Sequence, residues 1–245
     1  MAVPALRGAP VRTPARRPRL SFVRQVLTVA SKDLRSELRT KEALNSSLAF
    51  ALVILLLFSF AFEPTEAQTR EISGGLLWLV FAFAGALILN RSFARELAND
   101  CLDALIAAPM SGAALFLGKA LANFALLLAV ELVCLPVFGV FYNVHWTGRL
   151  PSLLVVIVLG TWGVTVVGTI FSALTVNLRL RELMLPMLVY PILIPCLLAA
   201  VQLTSPLVMG QPLTAELMIW VRLLVVFDVI FTALAVALVE TVMVR

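Results

Sequence analysis

Residues 90–119 read NRSFARELANDCLDALIAAPMSGAALFLGK and form the one sizeable polar island between the hydrophobic blocks that fill the chain from residue 47 onward. Pro109 interrupts the helical rhythm of the first half, and Gly118-Lys119 lead into the next apolar block. The charged residues that carry this rhythm are Arg91, Arg95, Glu96, Asp100 and Asp103. In a membrane protein, such a loop is expected to contact a partner in water.

The composition excludes a soluble globular domain. Of the 245 residues, 61% are hydrophobic and 13% charged, whereas soluble domains carry about 25% charged residues. Mean hydropathy is +1.02. The apolar runs are continuous and do not alternate as in barrel strands, so the fold is predicted to be all-α, a polytopic helical membrane protein.

A six-span transmembrane domain is predicted over residues 43–240. The fifth block should be bent or broken because it contains Pro186, Pro191 and Pro195. The fourth carries Thr161, Thr165, Thr169 and Ala173 at four-residue spacing, a small-residue ridge suited to close helix packing. The predicted spans are residues 44–62, 72–90, 119–141, 152–176, 183–203 and 216–239.

Two different segments precede these spans. Residues 1–19 are rich in Arg, Pro and Ala and contain no acidic residue, which predicts a disordered cationic tail. Within residues 20–42, apolar positions recur every three or four residues, which predicts an amphipathic helix. Two interpretations remain open for that helix: it lies in the membrane interface, or it packs on protein.

The distribution of Lys and Arg predicts the orientation. Ten of the 19 lie before residue 43. The N-terminal segment, the second and fourth loops and the C-terminus together hold sixteen, whereas the first and third loops hold Arg70 and Arg149. By the positive-inside rule, both termini and the 91–118 loop are cytoplasmic. Membrane topology and attraction to membrane lipid account for this distribution, so no nucleic-acid partner is predicted.

No catalytic group and no metal site are predicted. Gly112–Ala120 superficially suggests a phosphate loop, but it has the wrong spacing between glycines and lacks Ser or Thr after Lys119. Lys119 is instead predicted to enter the third span and to snorkel to the interface. The chain is therefore not expected to hydrolyse ATP by itself.

His145 is the single histidine of the chain and lies beside Tyr142 and Trp146. It fits an aromatic belt at the membrane surface, and a haem or metal ligand is the alternative. The cysteines Cys101, Cys134 and Cys196 are widely separated, and they are predicted to be packing residues.

Three ionisable residues fall within predicted spans: Glu131 in the third, and Arg222 and Asp228 in the sixth. Such groups normally face the protein interior and are paired. Glu131 and Arg222 lie at similar depths, so they are predicted to form a buried pair, either to hold helix packing or to act in transport. Asp228 has no evident partner.

The polar loop resembles the ABC-2 class of transporter membrane subunits. In that class, the loop between spans two and three carries a helix with the pattern R-E-x-x-x-G-x-L-E-x-L-x-x-x-P, followed by G-K. This chain matches at Arg95-Glu96, Leu102, Leu105, Pro109 and Gly118-Lys119, but it has Cys101 in place of Gly and Asp103 in place of Glu. The resemblance implies a cytoplasmic coupling helix that contacts an ATPase.

Within this class, the chain is most similar to the haem exporter protein B family of cytochrome c maturation complexes. The supporting features are its length, short outer loops, the run SFARELANDCLDALIAAPMS and the proline-rich fifth span. The resemblance implies a separate ABC ATPase, further maturation membrane subunits and a haem chaperone as partners. Haem would be cargo, ATP would bind the partner, and the location would be the bacterial inner membrane. The implied ATPase-coupling residues are Phe93, Arg95, Glu96, Asp100, Leu102, Asp103, Leu105 and Pro109.

Three alternatives stay open on the sequence. The chain could be an ABC-2 exporter permease for a lipid, drug or polysaccharide. It could also be an assembly subunit that recruits the ATPase and conducts nothing. For the loop, the alternative to a coupling helix is a solvated surface helix.

Overall fold

The computed structural model describes residues 21–61, 67–93, 110–142, 144, 148–175 and 181–242. These residues form seven α-helices and no strand, which confirms the all-α class. The helices are α1 (Phe22–Thr40), α2 (Glu42–Ala61), α3 (Ala67–Arg91), α4 (Gly112–Phe141), α5 (Leu150–Thr175), α6 (Arg181–Val208) and α7 (Met218–Val242).

Helices α2 to α7 are long and apolar enough to cross a membrane. Crossing about 30 Å of hydrocarbon requires about 20 residues, and each of these helices has at least 20. The six-span prediction is therefore confirmed. Helix α4 begins at Gly112, seven residues before the predicted start of the third span. Ser111 caps it, and its hydroxyl accepts a hydrogen bond from the Ala114 backbone N–H at 3.2 Å.

Helix α1 turns sharply into α2. Lys41, between the two helices, has a φ of 53°, the left-handed conformation that often ends a helix. The Glu37 carboxylate then accepts hydrogen bonds from the Ala43 and Leu44 backbone N–H groups, at 2.8 and 3.0 Å. A buried acidic side chain from α1 therefore caps the first turn of α2.

Helix α5 lies at the centre of the bundle. In its most apolar window 72% of residues are buried, against 22% for α2 and α7. Glycines admit its neighbours: a Cβ added at Gly160 would overlap the Trp78 ring, and one at Gly168 would overlap Leu89. The threonines of the predicted ridge, Thr161, Thr165 and Thr169, are fully buried, so the ridge packs closely.

Helix α6 runs without interruption through Pro186, Pro191, Pro195 and Pro206. Of the two outcomes predicted for this span, a bend or a break, the break does not occur, and the helix extends five residues beyond the predicted end at 203. Proline is tolerated in membrane helices because neighbouring helices and side chains can satisfy the backbone groups that it frees.

One end of the bundle gathers the start of α2, the end of α3 and the start of α4. Arg91 at the end of α3 forms an ion pair with Glu42 at the start of α2, at 3.0 Å. Asn123 near the start of α4 contacts Ser92 just after α3. Helix α1 lies at this end too, since Gln25 accepts a hydrogen bond from the Ser111 backbone N–H at 3.5 Å.

Candidate functional site

Lys119 is a fully buried cation two turns into α4. Its ammonium lies 3.1 Å from the Asp33 carboxylate of α1 and donates to the Ser92 carbonyl at 2.9 Å. It also lies 4.6 Å from the centroid of the Phe93 ring, within cation–π range. Because Ser92 and Phe93 follow α3 directly, one side chain joins α1, the end of α3 and the start of α4.

Asn123 extends these contacts one helical turn further along α4. Its side-chain amide donates to the Ser92 hydroxyl and to the Thr169 hydroxyl of α5, both at 2.9 Å. We name this set the loop clamp and define it as Asp33, Ser92, Phe93, Lys119 and Asn123. Of the polar loop, the structure describes the residues up to Phe93 at one end and those from residue 110 onward at the other. The loop clamp therefore holds both ends of that loop.

A glycine brings α1 close enough to complete the loop clamp. A Cβ at Gly118 would lie 2.6 Å from the Val29 Cβ and 2.9 Å from the Val26 carbonyl oxygen. No larger residue fits there without moving α1. Because Asp33 follows Val29 by one helical turn, this close approach places its carboxylate at Lys119.

The prediction that Lys119 snorkels to the interface is wrong. Its side chain is 0% exposed, and it is held by the Asp33 carboxylate and a backbone carbonyl. The physical reason is the early start of α4 at Gly112, which places residue 119 within the packed bundle.

Each of the two interpretations of α1 describes a different face of this helix. Val29 and Ala30 are buried against the bundle, as expected for a helix packed on protein. A second apolar stripe faces outward, as expected for a helix at a membrane interface. The exposed members of that stripe are Val23, Leu27 and Leu38.

Asp33 contacts two lysines in very different surroundings. Lys32 lies 3.0 Å from one carboxylate oxygen and is 49% exposed, whereas Lys119 lies 3.1 Å from the other and is buried. Exposed ion pairs contribute about 0–1 kcal/mol, whereas removing one partner of a buried pair costs about 3–5 kcal/mol. Lys119 therefore dominates the link between α1 and α4.

The predicted coupling residues are only partly described. Phe93, predicted to anchor the coupling helix, is 1% exposed and packs under Lys119. The other residues lie outside the described part of the chain, as does the alternative haem ligand His145. These are Arg95, Glu96, Asp100, Leu102, Asp103, Leu105 and Pro109.

Glu131 does not pair with Arg222, so that prediction is wrong. Glu131 is fully buried, and its carboxylate accepts a hydrogen bond from the Thr161 hydroxyl of α5 at 2.6 Å. Arg222 is exposed on α7 and forms no ion pair within the described residues. The predicted pairing assumed similar depths, but Glu131 lies ten residues before the end of α4 and Arg222 four residues after the start of α7. The two side chains also point to different faces of the bundle.

Asp228 is buried where α5, α6 and α7 meet. A Cβ added at Gly163 would lie 2.8 Å both from an Asp228 carboxylate oxygen and from the Cys196 sulfur. Neither carboxylate oxygen has a hydrogen-bond partner among the described residues. Cys134 and Cys196 are free and buried, as expected for packing residues, and Cys101 lies outside the described residues.

A polar seam connects the loop clamp to the middle of the membrane domain along α4 and α5. Asn123 and Glu131 lie eight residues apart on α4, and their partners Thr169 and Thr161 lie eight apart on the antiparallel α5. Eight residues cover about 12 Å of helix. The seam therefore fixes the register of the two helices by matched side-chain hydrogen bonds.

Replacing Thr161 by valine is expected to lower the free energy of unfolding by about 1–3 kcal/mol, because the buried Glu131 carboxyl loses its donor. Unfolding with increasing mole fraction of a denaturing detergent measures this. Thr165→Val is the matched control: its hydroxyl donates within α5, to the Thr161 and Trp162 carbonyls. Equal losses in the two variants would contradict a role for the seam.

Asp33, Ser92 and Asn123 belong to the site but are not among the residues predicted from the sequence. Asn123 was visible as an amide inside an apolar block, a signal that a buried hydrogen-bond partner exists. Asp33 and Ser92 gave no such signal, since both occupy polar stretches where any orientation is possible.

Comparison with known proteins covers most of the chain. The sequence model of the CcmB protein family matches residues 24–241. The chain is 34% identical over 173 residues to heme exporter protein B of Rhodobacter capsulatus, covering 71% of this chain and 79% of that protein. It is 32% identical over 168 residues to the protein of that name from Paracoccus denitrificans, covering 68% and 76%. The Pseudomonas aeruginosa protein is 26% identical over 207 residues, covering 84% and 92%.

Proposed function

The chain belongs to the CcmB protein family, and on that premise we propose that it is the membrane subunit of an ABC transporter that handles haem for c-type cytochrome biogenesis. Its relatives are named heme exporter protein B. Haem is the cargo of the complex. ATP is hydrolysed in a separate ATPase subunit, since this chain carries no nucleotide-binding motif of its own.

The proposed location is the bacterial inner membrane, with both termini and the 91–118 loop in the cytoplasm. The Lys and Arg distribution supports this orientation. In that orientation the end of the bundle with the loop clamp faces the ATPase. Further maturation subunits would contact the chain within the membrane, and the haem chaperone would lie on the opposite side of the membrane.

The loop clamp is the observation that carries the proposed mechanism. A loop pushed by an ATPase moves the membrane domain only if its ends are fixed to spanning helices. Ser92 and Phe93 at one end and Lys119 at the other contact each other directly. Asp33 joins α1 to them, and Asn123 joins α5. Motion of residues 94–109 therefore passes to four helices at once.

The segment between the clamped ends provides the docking surface in this proposal. Its charged residues Arg95, Glu96, Asp100 and Asp103 contact a groove on the ATPase, and Leu102 and Leu105 anchor the helix up to Pro109. Charge complementarity across such a contact selects the partner and fixes its register.

Reversing the charge at Arg95 or Asp103 is expected to uncouple ATP hydrolysis from cytochrome maturation. In Arg95→Glu, repulsion replaces attraction at the ATPase, so the motion no longer reaches the loop. ATPase activity of the purified complex should persist while covalent c-type cytochromes fall at least tenfold. Arg149→Glu, a reversal in a loop predicted to be external, is the control. Normal cytochromes in Arg95→Glu and Asp103→Lys would contradict the coupling role.

Deleting the gene tests the function itself. We expect loss of covalent c-type cytochromes, restored by the wild-type gene. Normal cytochromes after deletion would instead favour an exporter of another cargo. Purified complex in vesicles with haem and ATP then separates transport from assembly, since a non-conducting assembly subunit would leave haem on its original side.

A further inference from the structure

Helix α1 presents a basic face that its own acidic residues do not neutralise. Both acids of α1 turn toward the bundle: Asp33 binds Lys119, and Glu37 caps α2. The cations Arg24, Arg35 and Arg39 are exposed, and none of them pairs with a carboxylate in the described part of the chain. The basic face of α1 therefore carries only positive charges.

An exposed apolar stripe runs beside this basic face. Val23 is 65% exposed, Leu27 54% and Leu38 55%. At 100° per residue, these three side chains lie within about 60° of one another, between the protein-facing and the basic faces. A helix that combines a basic face with an adjacent apolar stripe binds at the surface of a bilayer that contains anionic lipid.

The fold fixes the position of α1 at the end of the bundle and its rotation about its own axis. It joins α2 through a single residue, Lys41, and packs on the first two turns of α4 at Gly118, so it lies where two spans begin. Because Asp33 and Glu37 fix its inner face, α1 cannot rotate its arginines toward the bundle. If α1 faced only water, its arginines would be solvated, but its apolar stripe would be exposed to water as well.

We propose that α1 is a binding site for anionic phospholipid headgroups, with Arg24, Arg35 and Arg39 contacting phosphate and Val23, Leu27 and Leu38 entering the acyl region. This surface is distinct from the ATPase contact at residues 94–109. Since Asp33 belongs both to α1 and to the loop clamp, a lipid bound on α1 stabilises the helix that braces the loop.

The test uses the purified full chain in neutral detergent, titrated with dioleoyl phosphatidylglycerol or with dioleoyl phosphatidylcholine. Lipid that binds only the folded state raises the unfolding temperature by an amount that grows with the logarithm of one plus the ratio of lipid concentration to Kd, so the titration yields an apparent Kd. We expect the wild type to bind the anionic lipid, and 1 M NaCl to weaken this binding. Equal stabilisation by both lipids would overturn the proposal.

The variant Arg24→Gln/Arg35→Gln/Arg39→Gln locates the site. Each cation at an anionic surface contributes about a factor of five to affinity, so the triple variant should raise the Kd on the order of a hundredfold. Replacement of the same three residues by lysine keeps the charge and should stay within about fivefold of the wild type. Arg222→Gln, which removes an exposed cation from α7, should do the same.

A wild-type Kd in the triple glutamine variant would overturn the assignment. If that variant also fails to copurify with the ATPase subunit, the basic face is assigned to that protein instead. The lipid measurement needs neither haem nor ATPase, so its failure is distinguishable from failure of the proposed function.

Discussion

Replacing Lys119 by methionine is expected to lower the free energy of unfolding by about 3 kcal/mol. The substitution removes the ammonium that binds the Asp33 carboxylate and the Ser92 carbonyl. Breaking a buried ion pair from one side costs about 3–5 kcal/mol. The lower end of this range applies because the Asp33 side chain is 19% exposed and still forms its ion pair with Lys32. Detergent-induced unfolding of the full chain in mixed micelles measures the loss.

The matched control is Lys32→Met, which removes the exposed lysine from the same carboxylate. Its expected effect is within about 1 kcal/mol. A double-mutant cycle of Lys119→Met with Asp33→Asn should give a coupling energy of about 1.5–3 kcal/mol, the range for hydrogen bonds to charged groups. If Lys119→Met proves as mild as Lys32→Met, the loop clamp is not held by this pair.

Replacing Gly160 by alanine is expected to cost about 1–3 kcal/mol, because overpacking forces rigid groups apart. The added Cβ would overlap the Trp78 ring. That ring cannot withdraw easily, since it is buried and its Nε1–H donates to the Thr204 hydroxyl at 2.8 Å. The contact joins α3, α5 and α6, so the loss should appear as a lower unfolding temperature of the whole bundle.

Gly75→Ala provides the comparison for this prediction. A Cβ there would meet Val201 at 3.8 Å, an ordinary contact, and alanine is the better helix former by about 1 kcal/mol. Gly75→Ala should therefore be neutral or stabilising. In a Trp78→Phe background, the further cost of Gly160→Ala should shrink. A cost that does not change in that background would show that the ring is not the obstacle.

The pairing of Glu131 shows where reasoning from depth reaches its limit. Counting residues along two spans correctly places Glu131 well within α4, but Arg222 lies only four residues after the start of α7. The partner of a buried carboxyl also depends on how each helix is rotated about its axis. Glu131 faces Thr161 of α5, whereas Arg222 faces outward from α7. One sequence offers no measure of that rotation when a span is apolar on all sides.

Lys119 and α6 show the same limit at the level of local structure. The Gly-Lys pair was interpreted as a helix entrance, but Ser111 starts the helix two turns earlier and so carries the lysine inside. The prolines of the fifth block predict a bend or a break, and α6 has no break. The start of α4 is set locally by the Ser111 cap, whereas in α6 neighbouring helices can satisfy the backbone groups that proline frees.

Length, apolarity, charge counts and the motif of the polar loop suffice to predict the membrane class, the six spans and the family resemblance, because these features are read along the chain without knowledge of neighbours. The meeting of both loop ends at Lys119, and their bracing by α1, became known only from the packing of the helices. Those contacts join residues up to 86 positions apart. They depend on the close approach that Gly118 permits, a distance between helices that no local pattern encodes.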